Sequence, residues 1–151
     1  MEITYSKRSD ATILNFSHRN DNAERKKIIF ACIPADGHFN PLIPLAVHLK
    51  EQGHDVRWYT SANYAEKIKK LHIKHYPFKK AFDISGKTPE ELFPERAHKK
   101  GKVNKLVFDL IHGFILRAPE YYEDLKEIHA TFPFEVVVAD CMFFAIPFLK
   151  G

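Results

Sequence analysis

The chain has 151 residues, the size of one domain, and 45% of them are hydrophobic, which excludes an intrinsically disordered protein. The formal net charge of +4 is only mildly basic and indicates no nucleic-acid partner. No apolar segment suits a secretory signal or a membrane span, and Cys32 and Cys141 are expected to be buried free thiols, so we expect a soluble cytoplasmic protein.

The first part of the chain is polar and the domain begins after it. Residues 1–26 show no sustained hydrophobic period, and we expect an extension outside the domain, partly disordered. The domain is predicted to occupy residues 27–151. Residues 28–33 form a continuous apolar run, which is typical of a strand buried on both faces in a parallel sheet.

A polar loop and a helix follow this strand. Asn40 is the predicted N-cap, because its side-chain oxygen can accept a bond from a free backbone N–H, and Pro41 suits the first helical position. Apolar residues then recur at helical spacing and make one stripe, and Gly53 is the predicted end of the helix. The stripe consists of Leu42, Leu45, Ala46 and Leu49.

The alternation of strand and helix continues to residue 76. Residues 55–60 and 72–76 are predicted strands, and the helix predicted between them over residues 62–71 begins with Asn63 and Glu66 at capping-box spacing. The next connection, residues 79–100, is long for a compact α/β unit, and long connections are often functional loops.

The basic residues near the end of that loop have two interpretations. The simpler is a solvated loop leading into a helix, and the alternative is an attractor for an acidic ligand. The cluster consists of Arg96, Lys99, Lys100, Lys102 and Lys105.

The second half of the chain completes a sheet of four strands. Helical spacing continues from Val103 to Ile115, Pro119 is expected to kink or break the helix, and residues 135–140 form a fourth buried strand. This order predicts an α/β fold with a doubly wound, Rossmann-like parallel sheet in which strand 1 lies between strands 2 and 4. Because four strands are few for such a fold, we expect a truncated part of a larger one.

The predicted topology brings two chemically useful side chains together. Ligands of open parallel sheets bind beyond the carboxyl ends of the strands, where strand 1 leads to Gly37 and His38 and strand 4 leads to Asp140. A carboxylate bonded to one imidazole nitrogen leaves the other free to take a proton from a hydroxyl group. The alternative is that Asp140 only caps a turn and that His38, one of nine histidines in the chain, lies near a strand end by chance.

Other candidate features are weaker. No glycine-rich dinucleotide fingerprint or phosphate-binding loop follows the first strand, so Gly37 is expected to serve a tight turn. Phe39, Phe114, Phe143 and Phe144 lie on segments that could reach the crevice and line an apolar acceptor site. The candidate acceptor contacts are Gly37, Phe39, Phe114 and Phe143. Core packing is the alternative interpretation of these rings.

The residues around His38 resemble a known family. The segment Ile-Pro-Ala-Asp-Gly-His-Phe-Asn-Pro-Leu-Ile-Pro-Leu-Ala at residues 33–46, with Gly-His-Asp-Val at 53–56 and Val-Val-Val-Ala-Asp at 136–140, is similar to the opening of UDP-glycosyltransferases, in particular the bacterial macrolide-type branch. The resemblance covers residues 27–151 and does not include the first 26.

This resemblance implies the N-terminal, acceptor-binding half of the two-domain GT-B architecture. It implies that His38 deprotonates a small, apolar acceptor at its hydroxyl group, that Asp140 orients and charge-balances His38, and that transfer from a UDP-sugar inverts the anomeric configuration. No metal and no cofactor are implied, and the UDP-sugar is a co-substrate bound mainly by a C-terminal domain.

Because that donor domain has no counterpart in the 151 residues, we expect the chain alone to be inactive. A separate donor-binding chain is one possible partner, and the exposed edge of a split sheet predicts a risk of self-association. Two other functions remain open at this point: a Rossmann-like module that binds a ligand or partner without catalysis, and another Rossmann-like enzyme such as a sugar-nucleotide epimerase.

Overall fold

The computed structural model describes residues 7–8, 11–12 and 24–150. Strands β1 (Lys7–Arg8) and β2 (Ala11–Thr12) pair antiparallel. Most of the extension predicted for residues 1–26 lies outside the described residues. In the part of the chain that the structure describes, no helix combines the length and the apolar character needed to cross a membrane.

A parallel sheet of four strands forms the centre of the domain. Its strands are β3 (Lys27–Ala31), β4 (Asp55–Thr60), β5 (Lys74–Pro77) and β6 (Val136–Ala139). The spatial order is β5-β4-β3-β6, and all three pairings are parallel. The predicted order, with the first sheet strand between the second and the fourth, is therefore confirmed.

Helices connect these strands, and 3₁₀ or π-helical turns adjoin several of the α-helices. The α-helices are α1 (Asp36–Phe39), α2 (Ile43–Glu51), α3 (Ala65–Lys70), α4 (Pro89–Leu92), α5 (Lys102–Asp109) and α6 (Ala118–Thr131). Turns of 3₁₀ helix occupy Asn40–Leu42, Ala62–Tyr64, Pro94–His98, Ile115–Arg117 and Ile146–Lys150. A π-helical turn spans Leu110–Phe114.

The sheet is covered on both faces, as a doubly wound fold requires. Alternate residues of β3 point to opposite sides: Ile28 and Phe30 join one buried cluster, and Ile29 and Ala31 join another. The first cluster includes residues from α2 and α3, such as Ala46 and Ile68. The second includes Tyr121, Leu125 and Ile128 from α6. The predicted fold class is confirmed.

One predicted helix start is wrong, and so is the predicted cap of the next helix, which does start at residue 62 as predicted. The first helix begins at Asp36 rather than at Asn40, because a short α-helical turn precedes the 3₁₀ turn that contains Asn40 and Pro41. The cap of the next helix is Ser61, whose hydroxyl accepts the backbone N–H of Asn63 at 3.2 Å. The predicted break near Pro119 is confirmed, since this proline lies in the first turn of α6.

The apolar side chains of α5 do not belong to the core of this chain. Val103, Leu106 and Val107 are exposed, and Ile111 in the following π-helical turn is exposed as well. Within α5 only Phe108 is buried. Helical spacing thus predicted the helix correctly, but its apolar stripe faces away from the sheet.

A buried aspartate ties α6 to the sheet and to the loop after β5. Asp124 is 2% exposed and accepts the Tyr59 hydroxyl at 2.8 Å. It also accepts the backbone N–H groups of Lys79 and Lys80, both at 2.9 Å, and that of Ala81 at 3.3 Å. Burial, together with the neighbouring Asp124, raises the pKa of the Tyr59 phenol, so this hydroxyl stays protonated and donates. One carboxylate therefore fixes three segments of the fold.

Candidate functional site

His38 lies in a short helical turn directly after β3. Its backbone N–H and that of Phe39 both donate to the carbonyl of Ala35 at 2.9 Å. The Asp36 carboxylate in the same turn accepts Lys67 Nζ at 2.6 Å and the Tyr64 hydroxyl at 3.0 Å. These bonds, that from Lys67 above all, lower the pKa of Asp36. The turn that carries His38 is thus anchored to α3 and the 3₁₀ turn before it.

Asp140 follows β6 and is held by backbone groups. Its own N–H donates to the carbonyl of Ala31 at 3.3 Å, which continues the pairing of β6 with β3. Its Oδ2 accepts the N–H of Ile33 at 2.9 Å, and its Oδ1 accepts the N–H of Met142 at 2.8 Å. The side chain is only 6% exposed. Neighbouring strand ends and the turn that follows therefore fix both oxygens.

The imidazole and the carboxylate meet at this edge of the sheet. His38 Nδ1 lies 3.0 Å from Asp140 Oδ1, and the His38 side chain is 29% exposed. When Nδ1 carries the ring proton it donates to Oδ1, and Nε2 is left as a proton acceptor. Asp140 also caps the turn that follows β6, since the same carboxylate accepts the N–H of Met142. Capping and the contact with His38 are compatible.

Gly37 occupies a different conformation from the one predicted. It lies inside α1, and it is not among the glycines with positive φ, so no tight left-handed turn requires it. Apart from its chain neighbours and the backbone of its own helix, no atom lies within 4 Å of a Cβ placed at Gly37. Open space therefore lies beside the turn that carries His38.

Two of the aromatic residues predicted to line an acceptor site are buried in the core instead. Phe39 is fully buried, with its ring centroid 4.6 Å from those of Trp58 and Tyr64. Phe143 is 3% exposed and packs edge-on against Tyr59. Both rings are core residues, as the alternative interpretation had it, and their side chains are not available to an acceptor. Phe114 ends the π-helical turn and is half-buried.

The two cysteines, both expected to be buried, differ. Cys32 is fully buried, and its thiol bonds to Trp58 and Thr60; burial raises the pKa of this thiol to about 11. Cys141 is exposed. One ligand-type atom from each of His38, Asp140 and Cys141 lies within 4.8 Å of the others. The sequence analysis missed Cys141 as a member of this cluster, although its position directly after Asp140 was the available signal.

The chain is similar to known glycosyltransferases. The glycosyltransferase family 28 N-terminal domain matches residues 28–149. The 4'-demethylrebeccamycin synthase of Lentzea aerocolonigenes is 32% identical over 124 residues, which cover 82% of this chain. The UDP-glucosyltransferase A1 of Starmerella bombicola is 24% identical over 127 residues, which cover 81% of it.

Solved structures show the same fold. The kitacinnamycin glycotransferase matches with a TM-score of 0.57 at 14% identity, over 84% of this chain and 28% of that one. The calicheamicin glycosyltransferase CalG4 matches with a TM-score of 0.55 at 18% identity, over 76% of this chain and 26% of that one.

The chain spans only 29% and 27% of the length of the two curated relatives. Its sheet corresponds to part of the N-terminal half of a GT-B glycosyltransferase. Because the match to the glycosyltransferase family 28 N-terminal domain covers residues 28–149, this chain belongs to that domain family.

Proposed function

We propose that this chain supplies the acceptor-binding half of an inverting, UDP-sugar-dependent glycosyltransferase, with His38 as the general base. The observation that carries the proposal is the contact of 3.0 Å between His38 Nδ1 and Asp140 Oδ1 at the carboxyl ends of β3 and β6. Crevices at this edge are the usual ligand sites of open parallel sheets.

The proposed reaction uses both sides of the imidazole. The acceptor hydroxyl group lies against His38 Nε2 and gives its proton to that nitrogen while its oxygen attacks the anomeric carbon. The bond from that carbon to the UDP oxygen breaks, UDP takes the electron pair, and attack from the opposite face inverts the configuration. Asp140 stabilises the resulting imidazolium through Nδ1–H, because its carboxylate is held by Ile33 and Met142.

The acceptor in this proposal is a small, largely apolar molecule with a free hydroxyl group. Open space lies at Gly37 beside the turn that carries His38, and half-buried Phe114 is retained as a candidate for apolar contact. Phe39 supports the histidine turn from the core side instead. The match to a 4'-demethylrebeccamycin synthase and a UDP-glucosyltransferase supports a sugar-nucleotide donor and a natural-product acceptor. The proposal requires neither a metal nor a cofactor.

In this proposal the UDP-sugar is bound by a second domain or by a separate chain. A free strand edge is a template for further pairing, and in the described part of the chain β6 pairs only with β3. Val136 on this strand is 40% exposed. We propose that this edge accepts further strands or, in their absence, a second copy of the chain, which sedimentation analysis of the purified protein would reveal.

The need for a donor domain gives the experiment that tests the proposal. We expect the chain alone to transfer no sugar from UDP-glucose to a panel of hydroxylated aromatic acceptors, and we expect a fusion to the C-terminal domain of a family 28 relative to do so. The same C-terminal domain with its own N-terminal half is the control for the junction. A fusion that folds and binds UDP and acceptor, yet transfers nothing, would support a binding module without catalysis.

A further inference from the structure

We propose that His38, Asp140 and Cys141 together bind a thiophilic divalent cation, with Zn²⁺ as the best fit, and that the bound ion switches off the base. The site follows from the positions of the three side chains alone. Its inhibitory effect rests on the proposed function, in which His38 takes the proton of the acceptor.

The three side chains have the chemistry of a zinc site. Zn²⁺ in proteins is bound by imidazole nitrogen, thiolate sulfur and carboxylate oxygen, and this cluster offers one of each. Mg²⁺ and Ca²⁺ prefer sites made of oxygen ligands only, and their binding here is not expected. Three protein ligands leave the fourth tetrahedral position to water, as in zinc sites that remain open to solvent.

The distances require only a small adjustment. The candidate ligand atoms lie within 4.8 Å of one another, whereas ligands on a tetrahedral zinc ion with bonds of about 2.0–2.3 Å are about 3.5 Å apart. Asp140 is the fixed member, because two backbone N–H groups hold its oxygens. Cys141 is exposed, so its side chain can turn toward the ion without disturbing the core.

Binding at this point has a specific consequence for the base. In the active arrangement Nδ1–H of His38 donates to Asp140 Oδ1 at 3.0 Å, and Nε2 is free. A cation bound between Nδ1 and Oδ1 replaces that shared proton. The neutral imidazole must then carry its proton on Nε2, the atom that would receive the proton of the acceptor hydroxyl. The ion therefore blocks catalysis without filling the acceptor crevice.

The binding test uses the full 151-residue chain with reduced thiols. We expect calorimetric titration with ZnCl₂ to give one tight site, and Co²⁺ to give a thiolate-to-metal charge-transfer absorption. Cys141→Ser should abolish that absorption and weaken zinc binding by at least tenfold, since even losing a group that only orients a metal ligand costs about 10–100-fold. His38→Ala should weaken binding similarly. His98→Ala, which removes an exposed histidine elsewhere, should leave it unchanged.

Unchanged zinc affinity in both Cys141→Ser and His38→Ala, with both variants folded, would overturn the site. The switch is tested separately in the fusion with a donor domain. We expect Zn²⁺ to inhibit transfer by the parent fusion and to inhibit the Cys141→Ser fusion at least tenfold less. Zinc bound through Cys141 without loss of transfer would overturn the switch and leave the site standing. A fusion inactive even with chelator present would instead contradict the proposed function.

Discussion

Replacement of His38 by alanine is expected to lower the rate of sugar transfer by about 10²–10⁴-fold, the usual contribution of a general base. The change removes the group that accepts the proton of the acceptor hydroxyl and leaves Asp140 bonded to Ile33 and Met142. Because the histidine is 29% exposed and helical backbone bonds hold its turn, the fold should persist. The measurement is kcat of the donor-domain fusion with saturating UDP-sugar and acceptor.

The matched control is His48→Ala, which removes an exposed histidine near the end of α2. Transfer by this variant should match that of the parent fusion, and UDP binding should be unchanged in both. A His38→Ala fusion that retains full kcat would remove the general base from the account. If His38→Ala loses its folded structure as well as transfer, His38→Gln takes its place in the test, because glutamine keeps a polar side chain but lacks a basic nitrogen.

Replacement of Asp124 by alanine is expected to lower the free energy of unfolding by about 3 kcal/mol or more, because buried donors without an acceptor cost about 1–3 kcal/mol each. The change deprives the Tyr59 hydroxyl and the backbone N–H groups of residues 79–81 of their acceptor. Chemical denaturation followed by the fluorescence of Trp58, the single and fully buried tryptophan, measures the effect.

Glu123→Ala is the matched control, since Glu123 is the adjacent acid on α6 and makes only partly exposed ion pairs with Lys80 and Lys126. Surface pairs of this kind contribute about 0–1 kcal/mol, so the control should unfold close to the parent chain. Equal stability of the two variants would show that the bonds of Asp124 do not fix the loop after β5.

Hydrophobic pattern was enough to predict the sheet. The apolar runs at residues 28–33 and 135–140 contain β3 and β6, and the rule for doubly wound sheets predicted that these two strands are neighbours. The convergence of His38 and Asp140 followed from that order without any knowledge of side-chain positions. Their hydrogen bond is the detail that the structure adds.

Local helix signals were less reliable. Asn40-Pro41 has the composition of a helix start, but the chain is already helical at Asp36, with Ala35 as an N-cap that forms no side-chain bond. No residue type marks such a start. This is why His38 and Gly37 were expected in a loop, whereas they lie in a helical turn.

Burial of individual side chains was the hardest property to predict. An aromatic ring next to a proposed catalytic residue is apolar whether it lines a ligand site or the core, and Phe39 belongs to the core. Asp124, by contrast, is a buried residue whose burial the sequence does indicate. It falls on the buried stripe of α6, three residues after Tyr121 and one before Leu125, and an acid at such a position signals a buried acceptor.

The proton on the His38 ring tests the central claim most directly. Nitrogen NMR of the chain labelled at histidine should show the neutral ring protonated at Nδ1, with that proton held in a hydrogen bond that disappears in Asp140→Ala, which removes the acceptor. A neutral ring protonated at Nε2 and unaffected by Asp140→Ala, recorded with metal removed by a chelator, would contradict the account, because no basic nitrogen would then face the acceptor.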